Sequence, residues 1–206
     1  MRYRILLAIA AAAVLWAAPA GAAEAPRSIA GLTLGQPIED AADRVLMQTA
    51  LPVRYMESLR EVEIRPAEGF KSGLIAYTTC LRPETIVRIK LKYADGSRAF
   101  YDDLLKRYKA RLGNPDEYRG DPFGVFVSWK WSFVDPSGDR VNLTLQHNQE
   151  DEDEKLGNAV KLSLVNRLEQ DAACARQQPD SRRDLARGRA APGAGTLSWD
   201  HLIPKR

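Results

Sequence analysis

Seven residues near the middle of the chain, Val87-Arg88-Ile89-Lys90-Leu91-Lys92-Tyr93, alternate apolar and cationic side chains without a break. A strand turns successive side chains to opposite faces, so this run can bury one row and hold three cations in water. A helix would scatter both rows around its axis. The same period of two recurs in Glu61-Val62-Glu63-Ile64-Arg65 and in Val141, Leu143 and Leu145. It recurs again over 125–133, where Val125, Val127, Trp129, Trp131 and Phe133 share a face. Asp135-Pro136-Ser137-Gly138-Asp139 reads as a hairpin turn between the last two runs. Residues 73–80 and 160–165 are further strand candidates, the second through Val160, Leu162 and Leu164. Hairpin signals dominate, which predicts an α+β fold. Its core is an antiparallel sheet of about five or six strands with helices on one face.

Helical spacing occurs in three places. Pro37 suits a first helical position, Glu39 and Asp40 suit the first turn, and Ile38, Ala42, Val45 and Leu46 fall on one stripe. The spacing predicts a helix from there to Pro52. Ser97 can cap a second helix in which Phe100, Leu104, Leu105, Tyr108 and Leu112 recur, with Gly113 at C′ and Pro115 just beyond. A third is predicted over 166–177.

The first 22 residues have the form of a secretory leader. Arg2 and Arg4 open it, an apolar run follows, and Ala20-Gly21-Ala22 provides the small residues of a cleavage site near Ala22. The stretch is too short and too rich in alanine for a lasting anchor, and no membrane span is expected. Three segments follow from this: a leader over 1–22, one α+β domain over 23–175, and a flexible tail over 176–206. The full chain carries a formal charge of +3. The body holds 21 Lys and Arg against 24 Asp and Glu, and the tail 7 against 3. A near-neutral exported body argues against a nucleic-acid partner, and the expected location is the periplasm or the exterior. Cys80 and Cys174 are the two cysteines. In an oxidising compartment they are candidates for one disulfide, the alternative being two separate buried thiols.

Signals for catalysis are sparse. Two histidines, His147 and His201, exclude a His-rich metal site, and no cofactor is expected. No nucleophile elbow, zinc-protease helix or phosphate-cradling loop is present. A Cys80–His147 pair is one conceivable nucleophile and base, against a His147 that merely ends a strand. The acidic run 150–154 has the charge for Ca²⁺ but lacks the glycine and spacing of a calcium loop, so it reads as a solvated loop tip. Trp129 and Trp131 flank Lys130 as an aromatic–basic platform would, yet their shared apolar face favours core packing. Arg88, Lys90 and Lys92, extended by Lys130, form a cationic stripe. It is either a binding face for an anionic group or an ordinary open sheet face paired with Glu61 and Glu63.

Gly31-Leu32-Thr33-Leu34-Gly35, running into Gln36-Pro37-Ile38-Glu39-Asp40, resembles the turn that starts helices in beta-lactamase-inhibitor-protein-like domains and small outer-membrane-assembly lipoproteins. Leu112-Gly113-Asn114-Pro115-Asp116 resembles the segment that closes those helices. The resemblance implies a periplasmic protein-interaction module. The expected function is accordingly non-catalytic binding, with an envelope protein or an anionic surface component as partner. Two other readings stay open: an envelope hydrolase using a carboxylate pair, and a carrier of a small apolar ligand.

Overall fold

The computed structural model describes residues 25–149 and 157–177; the expected leader, the acidic run 150–154 and the chain from 178 onward lie outside them. A two-stranded ribbon, β1 (Ser28–Ile29) and β2 (Leu32–Thr33), leads into a short 3-10 turn over Ile38–Ala41. A meander follows: β3 (Val45–Val53), β4 (Met56–Ile64), β5 (Phe70–Thr78) and β6 (Ile86–Tyr93). Helix α1 (Arg98–Leu112) leads to a second meander of β7 (Glu117–Gly120), β8 (Phe126–Val134), β9 (Arg140–Asn148) and β10 (Gly157–Leu164). Helix α2 (Val165–Gln177) follows directly. The last strands of the two meanders pair with each other, giving one antiparallel sheet in the order β3-β4-β5-β6-β10-β9-β8-β7. Each half of the sheet is thus four hairpin-linked strands followed by a helix.

The six expected strands are β4, β5, β6, β8, β9 and β10. The sheet holds eight because both edges escaped the pattern. The expected first helix is the main correction. Backbone bonds from Ala42 to Glu39 and from Arg44 to Ala41 close the 3-10 turn, after which the chain extends and Val45 pairs with Ile64. Ala42, expected on the buried stripe, is exposed. Pro52 does not end a helix but lies in an edge strand, where a missing N–H breaks no central ladder. The β3–β4 register slips between Leu46 and Leu51, which blunts that edge against further pairing.

The second and third helices stand as read. Ser97 accepts from the Phe100 N–H at 3.2 Å, and Gly113 sits at φ +81°. The Gly113 carbonyl also accepts the indole N–H of buried Trp131 at 2.9 Å, tying the helix end to β8. Helix α1 rests its Leu104, Leu105, Tyr108 and Leu112 on the core, and Tyr108 shares a 2.9 Å hydrogen bond with Tyr93. The core takes the predicted rows: Val87, Ile89 and Leu91 from β6, and Val160, Leu162 and Leu164 from β10, all buried. Each such side chain contributes about 1.5–3 kcal/mol relative to exposure.

Two buried carboxylates pin the segment before β1 and helix α2 to the sheet. Asp139, in the β8–β9 turn, accepts from Arg27, from Asn166 and twice from Arg167. Asp171 of α2 accepts the successive N–H groups of Thr79, Cys80 and Leu81 at 3.4, 3.1 and 2.7 Å. One turn further along α2, Cys174 is bonded to Cys80, so the disulfide forms as read.

The Arg167 hydrogen bonds, with those of Asn166 and Arg27, hold the Asp139 carboxyl far below the usual carboxylate range against the opposing effect of burial. A carboxyl depressed in the folded state stabilises the protein above its unfolded pKa of about 4 and loses that contribution as acid protonates it. Urea melts between pH 2 and 7 test this. Asp139→Asn should cost about 3 kcal/mol at neutral pH and flatten the acid limb of the stability curve. Replacing both cysteines with serine opens a loop of 94 residues and should cost about 2–5 kcal/mol, seen as a lower melting temperature without reductant.

Candidate functional site

The sheet register sets the cationic stripe. Leu74 on β5 faces Lys90 on β6, Lys90 faces Lys161 on β10, and Lys161 faces Thr144 on β9. Thr144 faces Lys130 on β8, and Lys130 faces Glu117 on β7. These residues form one straight rung across the sheet, at about 4.8 Å per strand. Beyond Leu74 the rung continues through Glu63 on β4 to Leu46 on the edge strand β3. The rung on one side carries Arg88 with Ser163 and Asn142; the other carries Lys92 with Ala159, Gln146, Ser128 and Arg119. Three strand rungs therefore present six cations and three carboxylates, Glu61, Glu63 and Glu117.

The carboxylates stand at the margins. Arg88 pairs with Glu61 at 2.6 Å, the partner expected from the alternation of β4. Lys130 pairs with Glu117 at 2.7 Å, and Arg119 reaches the same carboxyl at 2.5 Å. Those hydrogen bonds, Lys130 first, hold Glu117 below the usual carboxylate range. Lys90, Lys92 and Lys161 have no carboxylate within 4.0 Å among the described residues. Like charges directly opposite on a sheet oppose pairing. Partial desolvation by the surrounding sheet face, together with the charges of Arg88, Lys90, Arg119 and Lys130, pushes the Lys161 ammonium below the ordinary lysine range. Half of this face is neutralised, and half is a row of unmatched cations bordered by hydroxyls and amides.

All four residues singled out from sequence, Arg88, Lys90, Lys92 and Lys130, lie on this face. Lys161 at its centre was missed. The alternation Val160-Lys161-Leu162 already places it opposite the apolar row, but only the β6–β10 pairing brings it against Lys90.

Other sequence candidates resolve differently. Cys80 is in the disulfide, so it cannot serve as a thiolate beside His147. His147 is buried, and its Nδ1 lies 2.7 Å from Asn158 Oδ1. Asn158 spends its amide protons on the carbonyls of Asp95 and Ser97, each at 2.9 Å. Its oxygen is therefore the acceptor, and the imidazole carries its proton on Nδ1. Trp131 is core and Trp129 is half-buried under Lys109 of α1, so both tryptophans face the helix and away from the cationic rung. The carboxylates of Asp139 and Asp171 are taken up by the donors described above, which is structural work. Among the described residues no three or more His, Cys, Asp or Glu converge as metal ligands, and no helix is long and apolar enough to cross a membrane.

Comparison with protein-family models, with curated proteins and with solved structures finds no match to this chain. The functional argument therefore rests on the geometry of the face.

Unmatched cations cost stability that a neutral side chain would recover. Lys161→Gln should raise folding stability by a few tenths of a kcal/mol. Added salt should stabilise the parent more than the variant, because screening relieves the same repulsion. Chemical melts at low and high ionic strength measure both effects.

Proposed function

We propose that this chain is an exported, non-catalytic binding module of the cell envelope, whose open sheet face docks an anionic partner. The observation that carries the reading is the pairing of Lys90 with Lys161, flanked by Lys92 and left without carboxylates, in the middle of a sheet. Bordering Thr144, Asn142 and Gln146 supply neutral donors beside the ammonium groups. An extended polyanionic surface matches this arrangement, since the cations form a flat row and not a pocket. The partner is an anionic surface component or the acidic face of an envelope protein. Both present the same chemistry.

Export is supported by the leader pattern over 1–22 and by the Cys80–Cys174 bond, which persists in oxidising compartments. The capping resemblance to periplasmic interaction modules points the same way. The helix-side interior is filled by Trp131, Tyr101 and the aliphatic rows of β6 and β10, which leaves the apolar-carrier reading without support there.

Crosslinking in the native envelope, followed by identification of the captured partners, tests the docking face. Lys90→Glu combined with Lys161→Glu should abolish capture and weaken binding to the identified partner by about tenfold or more, given roughly 0.7 kcal/mol per exposed ion pair. The affinity of the parent should fall as salt rises. Partner capture unchanged in the double variant would sink the proposal.

A further inference from the structure

The open face of the sheet carries more than cations. Leu46 and Leu74 both lie opposite Glu63, one on each neighbouring strand, and Leu51 lies opposite Glu61. Directly opposed residues point to the same side of a sheet, so the three leucines share the face of Lys90, Lys92 and Lys161. Leu51 is 68 % exposed and Leu74 36 %, so neither serves the core. Met56 belongs to the same margin, its sulfur 3.8 Å from Arg88 Nη1. Three free lysines thus stand beside a border of accessible apolar side chains.

Two surfaces can answer free cations: the acidic face of a protein, and the phosphates of a bilayer. Protein interfaces favour arginine and aromatic anchors and disfavour lysine. On this face the arginines are already engaged, Arg88 by Glu61 and Arg119 by Glu117. The three rungs that carry the cations hold no aromatic side chain. The charges left free are lysines, compact ammonium groups on flexible stems that require no fixed fork of acceptors. Such groups suit phosphates that move laterally. The leucines point the same way, because an acidic protein face leaves them unmatched, whereas a bilayer has an apolar layer beneath its phosphates. Glu63, exposed between Leu46 and Leu74, limits how far this margin can enter. The contact is therefore with the headgroup layer.

We infer, resting on the docking reading of this face, that its partner is the surface of an anionic phospholipid bilayer. Lys90, Lys92 and Lys161 lie over the lipid phosphates, and Leu51 and Leu74 enter the headgroup layer beside them. Each lysine at an anionic leaflet raises partitioning about fivefold, so three give about a hundredfold preference over a neutral bilayer. Salt weakens that preference, because the attraction reaches only about a Debye length from the surface. The chain lies on the membrane, held by charge and aligned by its leucine margin.

Co-sedimentation of the full chain with vesicles of phosphatidylcholine, alone or with phosphatidylglycerol at about a third of the lipid, tests the inference. The leader and tail are identical in every variant, so differences between variants report the face. The parent should prefer the anionic vesicles, and the preference should fall with salt. Lys90→Glu with Lys161→Glu should lower partitioning about tenfold or more, and Leu51→Ser about fivefold. Lys90→Arg with Lys161→Arg should keep it, since only charge is needed. Sodium phosphate should displace the chain no better than sodium chloride of equal ionic strength, which separates a charged surface from a site for free phosphate. Circular dichroism checks that the variants fold. Equal binding to both vesicles, or anionic binding that survives the glutamate pair or Leu51→Ser unchanged, would overturn the inference. So would absence of vesicle binding while envelope crosslinking still captures an acidic protein through Lys90 and Lys161; that result assigns the face to a protein and leaves the docking reading standing.

Discussion

The pairing of β6 with β10 is the joint on which the molecule depends. Each strand closes its own four-stranded meander, and their antiparallel ladder from Ser163–Arg88 to Ala159–Lys92 makes two small sheets into one. A slip of one residue in that ladder would turn every side chain of one strand to the wrong face. The apolar rows of Val87, Ile89 and Leu91 and of Val160, Leu162 and Leu164 prevent it, because the slip would bury Lys90 and Lys161. The register is therefore chosen by the core. The cationic rung is what that choice leaves on the other side.

Two magnitudes explain how the fold tolerates this rung. Six buried aliphatic side chains on the two strands contribute about 1.5–3 kcal/mol each. A directly opposed like-charge pair costs roughly 0.2–1 kcal/mol. The core exceeds the repulsion by an order of magnitude, so stability does not require the cations to be matched. Where the sequence does match charge, it does so at the periphery: Glu61 takes Arg88, and Glu117 takes Lys130. A local rule of sheet pairing is broken in the centre and kept at the edges, the pattern expected of a surface set aside for a partner.

The same alternation made most of the sheet legible from sequence. The strands with strict period-two rows, β4, β6, β8 and β9, were readable because one face is buried and the other is not. β7 was not, since Glu117-Tyr118-Arg119-Gly120 is too short to show a period. Its absence from the reading hid both Glu117, the partner of Lys130, and Tyr118, which packs on Trp129. The start of β3 reads as a helix because 38–46 places apolar residues three and four apart. Its irregular pairing with β4 erased the competing signal of alternation. Lys161 is hard to single out from sequence for a different reason. Within a strand it is a single cation, and its significance arises only from a neighbour 71 positions away in sequence.

The seating of α1 on the sheet is invisible to sequence for a related reason, since separated segments build it, but it has a local cause. Asn158 stands on β10 at the centre of the sheet, buried against His147, and its amide holds the carbonyls of Asp95 and Ser97. Ser97 is the cap of α1, and the next residue is Arg98. One side chain of the central ladder thus sets where the first turn of α1 begins, and with it the positions of Arg98 and Tyr101. At the far end, the Trp131 indole holds the Gly113 carbonyl, so α1 is fixed to the strands at both ends. The ladder that aligns the cations on one side of the sheet thereby also fixes the position of α1 on the other.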